Sequence, residues 1–289
     1  MGIARLAQSL PDRPSHSLIG FYNLLFRIRP AQLASIIKLA IGVRRIRYKV
    51  PNGLVYWIDP VSVFGLHLLN EGVHEVILTQ IVESILRSTD TFVDVGANEG
   101  YFSILAAQLV REGKVISIEP QTRLQAILNE NIRLNAVGHV VVHKVAVSDK
   151  EGETDLYLRP STNTGASSLF RHWKVGAAKE RIRTTTLDVL LGEGNLSRVR
   201  MLKVDCEGSE ALVIAGGRDV LQARFIEFID LEYHPSICGT EVCLDIHRQL
   251  KEFGYLLTKI GDHNVYHLPD LYMQFLTFPG AQIDCDLNA

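Results

Sequence analysis

Thr91-Phe92-Val93-Asp94-Val95-Gly96-Ala97-Asn98-Glu99-Gly100 decides how the rest of the chain is read. The compact apolar run 91–95 ends in a glycine turn, and from Tyr101 to Val110 the apolar residues take helical spacing, so the stretch is a strand, a tight loop and a helix start. Gly96 lets the chain turn sharply and lets a ligand approach the backbone. Gly100 begins the helix, whose first N–H groups offer donors and partial positive charge to a polar ligand. Asp94, at the strand tip, can accept from an ammonium or a hydroxyl. A dinucleotide fingerprint would place glycine at Asn98 or at Asp94, and a phosphate-binding P-loop would place Lys and Ser/Thr where Tyr101-Phe102 stand. Pyrophosphate binding is therefore disfavoured, and with it a nicotinamide-dependent oxidoreductase.

Moving outward, 115–119 is a second strand, ending in Glu119, 25 positions after Asp94. An acid there suits a ribose diol, since its two oxygens accept from both hydroxyls, and it repels a phosphorylated ribose. The alternation continues with a helix over 124–134, a strand over 140–147, strands over 201–205 and 225–232 with a helix over 210–221 between them, a helix over 243–253, and strands over 255–260 and 273–278. A helix over 74–86 precedes the first strand. The pattern predicts an α/β fold, a Rossmann-like, mostly parallel seven-stranded sheet with helices on both faces, whose ligand sits at the carboxyl ends of the strands. Residues 153–158 and 181–185 read as an inserted hairpin within about 150–185. The loop between them, 160–173, includes Ser167, Ser168, Phe170, His172 and Trp173 and is placed to act as a lid.

A second constellation stands at the later strand tips: Asp205 and Glu207 after one, Glu232 and His234 after the next. These residues are expected to face the same cleft as Gly96 and to be catalytic, Asp205 also touching the cofactor. A hydroxyl nucleophile needs a base or a metal to take its proton. His234 titrates near neutrality and can serve; Asp205, Glu207 and Glu232 could instead hold Mg²⁺. A metal-free site is favoured, because the sequence offers no tight ligand spacing. Lys203 is read as a structural partner of the acids, and Glu210 as a helix-start acid.

The residues 93–102 and Ile118-Glu119-Pro120 resemble the FkbM-type methyltransferase family. So do Asn131 to Asn135, Thr186-Leu187-Asp188, Glu232-Tyr233-His234 and above all Leu202-Lys203-Val204-Asp205-Cys206-Glu207-Gly208-Ser209-Glu210. The resemblance covers roughly 59–260. It implies a class I methyltransferase fold, S-adenosylmethionine as cofactor, and O-methylation of a hydroxyl on a sugar, glycolipid or secondary metabolite. It implies further that Asp94, Gly96 and Gly100 surround the methionine end, that Asn98 also binds the cofactor, that Glu119 holds the ribose, and that Ser148 and Asp149 lie near the adenine. Glu99 departs from the family pattern, where an aliphatic residue is commoner. A non-catalytic scaffold of a biosynthetic complex is the alternative; the intact Asp94, Glu119, Asp205 and Glu207 weigh against it.

The 289 residues suffice for one large α/β domain with appendages. Four cysteines, Cys206, Cys238, Cys243 and Cys285, form no Cys-x-x-Cys pair, which points to a reducing cytoplasm. Charge is unevenly divided. Residues 1–50 carry nine basic side chains and Asp12, a net of +8, whereas 51–289 carry 21 basic and 31 acidic ones, a net of −10. The acidic body argues against a nucleic-acid substrate. The basic head reads as a mainly helical extension of a methyltransferase domain at 51–289, able to touch a membrane surface peripherally. The apolar run Ala31–Val43 is too short to span one, a task for ~20 residues.

Overall fold

The computed structural model describes residues 14–170, 178–194, 196–274 and 278–284. In chain order the elements are His16–Phe26 (α1), Ala31–Ala40 (α2), Ile46–Lys49 (β1), Val55–Ile58 (β2), Val63–Glu71 (α3), Val76–Ile85 (α4), Thr91–Val95 (β3), Tyr101–Leu109 (α5), Lys114–Ile118 (β4), Thr122–Leu134 (α6), Val140–His143 (β5) and Ala146–Val147 (β6). There follow Gly152–Tyr157 (β7), a 3₁₀ turn at Ser161–Asn163, Lys179–Thr185 (β8), Leu187–Glu193 (α7), Val199–Val204 (β9), Glu210–Ala215 (α8), Arg218–Gln222 (α9), Ile226–Leu231 (β10), Pro235–Cys238 (α10), Thr240–Glu252 (α11), Leu256–Ile260 (β11), His263–His267 (β12), a 3₁₀ turn at Pro269–Gln274, and Ala281–Asp284 (β13).

The main sheet runs β13-β11-β12-β10-β9-β3-β4-β5, parallel from β5 to β10. It is the expected mostly parallel sheet of seven strands with β13 added beyond β11. Pleating assigns alternate residues to opposite faces. Phe92, Val115, Met201 and Phe228 belong to one buried cluster with α3, α4 and α5. Their neighbours Val93, Ile116, Leu202 and Ile229 belong to a second, with α7, α8 and α11. Helices on both faces follow from strands whose apolar residues point to both sides of the sheet.

Register decides where the chemistry falls. Ile118 pairs with Val95, Val95 with Val204, and Val204 with Leu231. The next residue of each strand, Glu119, Gly96, Asp205 and Glu232, therefore stands at the same carboxyl edge.

Several expectations are corrected. The run 140–147 is two strands: β5 pairs with β4, whereas β6 leaves the main sheet and pairs with β8, which also carries β7 antiparallel. The helix expected over 210–221 is broken at Gly216-Gly217. A Cβ at Gly216 would lie 2.0 Å from the Ser148 carbonyl oxygen, and one at Gly217 2.7 Å from Leu187 Cδ2, so close packing at the break requires glycine. The strand expected over 273–278 is not there at 273–274, which end a 3₁₀ turn, and 275–277 lie outside the described residues. The sheet is completed instead by β12, folded back on β11 through Gly261 (φ 61°), and by β13. Residues 51–79 contain the extra helix α3, capped by Ser62, whose hydroxyl accepts from Gly65 N–H, and ended by Gly72 in the left-handed region.

The boundary expected at residue 50 falls inside the antiparallel pair β1–β2. Ile19, Tyr22, Leu25 and Tyr48 are buried in the same cluster as Phe92 and Leu105, so the head shares the main core.

Candidate functional site

Four strand tips and the inserted loop enclose a cleft of about 330 Å³. Its floor is Val95, Gly96, Ile118 and Glu119. Asp205, Glu207 and Glu232 line it, as do Phe64, His67, His74 and Glu75. Asn163, Thr164, Gly165, Ser167 and Leu169 of the loop read as a lid also line it; His172 and Trp173 lie outside the described residues.

The glycine turn is held by geometry that glycine alone permits. Gly96 has φ 84°, and a Cβ there would lie 1.8 Å from the Asp205 carbonyl oxygen, so β3 and β9 meet backbone to backbone. Gly96 and Ala97 N–H both donate to the Ile118 carbonyl. Gly100 does not line the cleft. It packs α5 against α6, where a Cβ would lie 2.3 Å from Leu128 Cδ1.

Asp94 is buried, and its Oδ2 accepts from Ser103 Oγ at 2.6 Å. Its Oδ1 makes no hydrogen bond and stands 3.9 Å from Lys203 Nζ. Burial raises the Asp94 pKa against the opposing pull of Lys203 and Ser103. Lys203 is itself buried and ion-paired to Asp205 at 3.2 Å; burial would lower its pKa, but Asp205 and Asp94 overcome it and keep the ammonium charged. A small side hollow opens among Glu75, Asp94, Gly96, Asn98 and Asp205. Three buried oxygens of these residues lack donors: Asp94 Oδ1, Asn98 Oδ1 and Glu75 Oε2.

Glu119 sits across the turn. Its oxygens accept from Asn98 N–H and Gln121 N–H, each at 2.9 Å, and burial raises its pKa to about 7 despite those bonds. Beyond it the wall is apolar: Leu124, Val145, Ala146, Val147 and Leu156. Ser148 and Asp149 lie outside this wall. Ser148 N–H donates to the Thr185 carbonyl, and its hydroxyl donates to Asp149 Oδ1 at 3.1 Å.

At the other end His234 reaches the cluster from just beyond β10. Its Nδ1 is 2.9 Å from Glu210 Oε1, and its Nε2 lies 3.7 Å from both Glu207 and Glu232 and 3.9 Å from Asp205. Ligand atoms of Asp205, Glu207 and His234 fall within 4.8 Å of one another, a convergence invisible in the linear spacing. Burial disfavours the imidazolium, but the hydrogen bond and charge of Glu210, with Asp205 and Glu207, outweigh it and raise the His234 pKa to about 9. Burial, with the charge of Asp205, raises Glu207 to about 7 and Glu232 to about 8.

Glu210 is more than a helix-start acid. It is fully buried, and its Oε1 also accepts from Cys206 and Gly208 N–H at 3.2 and 3.0 Å, so it braces the turn after β9 and orients His234. Glu75, His74 and His67 were not anticipated either. His67 and His74 approach Nδ1 to Nδ1 at 3.2 Å, and His74 meets Glu75 at 3.1 Å. Glu75 stands in the left-handed region (φ 48°), a departure no residue type in the sequence announces.

Glu99 is explained by the head. Arg45 grips its buried carboxylate with two bonds of 2.6 and 2.8 Å and lies over Trp57. An acid is retained there because its cation comes from 54 residues upstream.

Comparison with known proteins follows the same residues. The 2-O-methyltransferase NoeI of Sinorhizobium fredii is 25% identical over 188 residues, 58% of this chain and 74% of that protein. The hexuronic acid methyltransferase AglP of Haloferax volcanii is 25% identical over 153 residues, 53% of this chain and 59% of that one. Among solved structures, the chain is similar to an rRNA methylase from Streptococcus thermophilus (TM-score 0.41, 9% identity, 66% of this chain and 93% of that chain). It is also similar to Aeropyrum pernix fibrillarin with natively bound S-adenosyl-L-methionine (TM-score 0.37, 10% identity, 63% and 67%). The model of the methyltransferase FkbM domain matches residues 94–257, from the aspartate of the glycine turn into β11, and the chain belongs to that family.

Proposed function

We propose that the protein transfers the methyl group of S-adenosylmethionine to a hydroxyl of a sugar, glycolipid or secondary metabolite. The observation that carries this reading is the common carboxyl edge, where Glu119 stands on one side of Gly96, the acid–histidine cluster on the other, and the donor-hungry hollow at Asp94 beside them. The residues fit the cofactor. Three unpartnered oxygens around a small hollow suit an α-ammonium with three N–H donors, the free lone pairs of Glu119 suit a ribose diol, and the apolar wall at 145–147 with Leu124 suits an adenine. When bound, this cofactor supplies a sulfonium methyl open to in-line attack by oxygen. The adenine is thus assigned to the apolar wall, with Ser148 and Asp149 behind it.

The cluster prepares the acceptor. Asp205, Glu207 and Glu232 offer oxygens to an incoming hydroxyl, and Glu207, titrating at about 7, is the group matched to take its proton at neutral pH. His234, held protonated by Glu210 on Nδ1, balances the acids through Nε2. Sugar acceptors are favoured by the relatives, one named for 2-O-methylation and one for hexuronic acid methylation. A divalent cation at Asp205, Glu207 and His234 is the second reading, motivated by their convergence.

Calorimetric titration with S-adenosylhomocysteine, with NAD in parallel, tests the cofactor. Binding of the first alone supports the reading, and binding of NAD alone overturns it. Methyl transfer to a panel of sugar hydroxyls, with chelator and with added Mg²⁺, then tests acceptor and metal; activity that persists in chelator removes the cation.

A further inference from the structure

The head buries only part of its apolar surface. On α1, Ile19, Tyr22 and Leu25 enter the core, while Leu18, Phe21 and Leu24 remain exposed at the same i, i+3, i+6 spacing. On α2, which packs against α1, Ala34 is buried while Leu33, Ile36 and Leu39 are exposed, Leu39 to 80%. A helix anchored on a core through one stripe gains nothing from a second open stripe in water, so these two need a cover.

Charge identifies the cover. From Arg13 to Ile58 the sequence has no acidic residue, and the exposed Arg27 and Arg44 flank α2 with no ion pair among the described residues. A second copy of the chain would set like charges face to face. Apolar side chains beside arginines match the boundary between acyl chains and anionic headgroups. No described helix is long and apolar enough to cross a membrane, so the fit is to a helix pair lying in the surface.

We propose that α1 and α2 dock the protein on a bilayer containing anionic lipid. The surface adjoins the cleft. Ser35 Oγ meets Ser161 Oγ at 3.2 Å, and Lys38, ion-paired to Asp59, donates to the same hydroxyl at 3.1 Å, in the loop whose Asn163 and Thr164 line the cavity. Docking therefore sets the cleft mouth near the lipid surface, where a lipid-linked hydroxyl would be presented; that last clause rests on the methyl-transfer reading, whereas the docking does not.

Cosedimentation of the full-length protein with vesicles tests it, comparing phosphatidylcholine alone with phosphatidylcholine mixed with phosphatidylglycerol. Wild type is expected on the mixed vesicles, with much weaker retention on the neutral ones. Removing both charges (Arg27→Gln with Arg44→Gln) should weaken partitioning about 25-fold, about fivefold for each arginine. Leu24→Ser with Leu39→Ser should weaken it about tenfold or more. Both pairs are exposed, so an unchanged thermal midpoint and unchanged S-adenosylhomocysteine binding would show the fold and cleft intact. Failure of wild type to sediment with either vesicle overturns the proposal, as does binding that the leucine substitutions leave unchanged. A dimer in sedimentation velocity that Leu24→Ser with Leu39→Ser splits into monomers would make a second copy the occupant and overturn it equally.

Discussion

Cofactor affinity should rise with pH through neutrality, and Glu119 should be the reason. The carboxyl group is buried against Asn98 and Gln121 N–H, and burial raises its pKa from 4.5 to about 7. Ribose hydroxyls are donors that the ionised form accepts fully, so binding draws on the ionised fraction and releases a proton. With a pKa of about 7, roughly nine-tenths of Glu119 is ionised at pH 8 and one-tenth at pH 6. S-adenosylhomocysteine should therefore bind about tenfold more weakly at pH 6, about 1.4 kcal/mol. The sign for the ligand-free protein is opposite. A folded-state pKa above the unfolded one means that the folded chain holds the extra proton, so this group's contribution to stability is present below pH 4.5 and lost as pH rises through about 7. Calorimetry in buffers of different ionisation heat reads both affinity and proton release. Glu207 and Glu232 titrate nearby, and Glu119→Gln separates them by binding weakly with little pH dependence. A flat wild-type affinity between pH 6 and pH 8, or an unchanged slope in Glu119→Gln, would refute the assignment.

Other perturbations test the frame. Arg45→Ala strands the buried Glu99 carboxylate and should cost about 3–5 kcal/mol in urea denaturation, most of it regained in Arg45→Met with Glu99→Leu. Gly96→Ala places a Cβ 1.8 Å from the Asp205 carbonyl oxygen and should abolish S-adenosylhomocysteine binding by calorimetry, whereas Gly138→Ala, with open space around it, should leave it unchanged. Asp94→Ala should lose cofactor binding while the chain stays folded by circular dichroism, because within the core the carboxylate meets only Ser103 and Lys203, and Lys203 keeps its closer partner Asp205. Glu210→Gln removes the charge that sustains the His234 imidazolium, so the His234 pKa should fall from about 9 on NMR titration; an unmoved resonance would sever the two residues.

Much of the site was legible in the chain because its parts are local. The turn at Gly96, the acid at Glu119 and the acids at 205 and 207 are each a strand end followed by residues with polar work to do, and both strand and turn are written in spacing of short range. Glu232 and His234 were found in the same way. Glu210 escaped because an acid at a helix start has an ordinary reason to be there, and only its complete burial and its bond to His234 show another. Glu75, His67 and His74 escaped because nothing in their own segment marks a cleft wall; α3 and α4 bring them there by packing. The strand β12 was missed although Gly261-Asp262 signals a hairpin turn, because His263 and Asn264 mask its apolar partners Val265 and Tyr266.

What the sequence determined alone is the kind of fold and the chemical character of each strand tip, since periodicity and side-chain type are properties of neighbours along the chain. What only the tertiary structure decided is the company each tip keeps. The level register of β4, β3, β9 and β10 aligns four tips spread over more than a hundred residues of chain. Burial then raises Glu119 and Glu207, and Glu210 raises His234 against its own burial, to pKa values that no isolated residue has. Arg45 explains Glu99, and the lid loop meets α2, through contacts across the fold. Desolvation and long-range pairing depend on how the chain is packed, and that information exists only once it has folded.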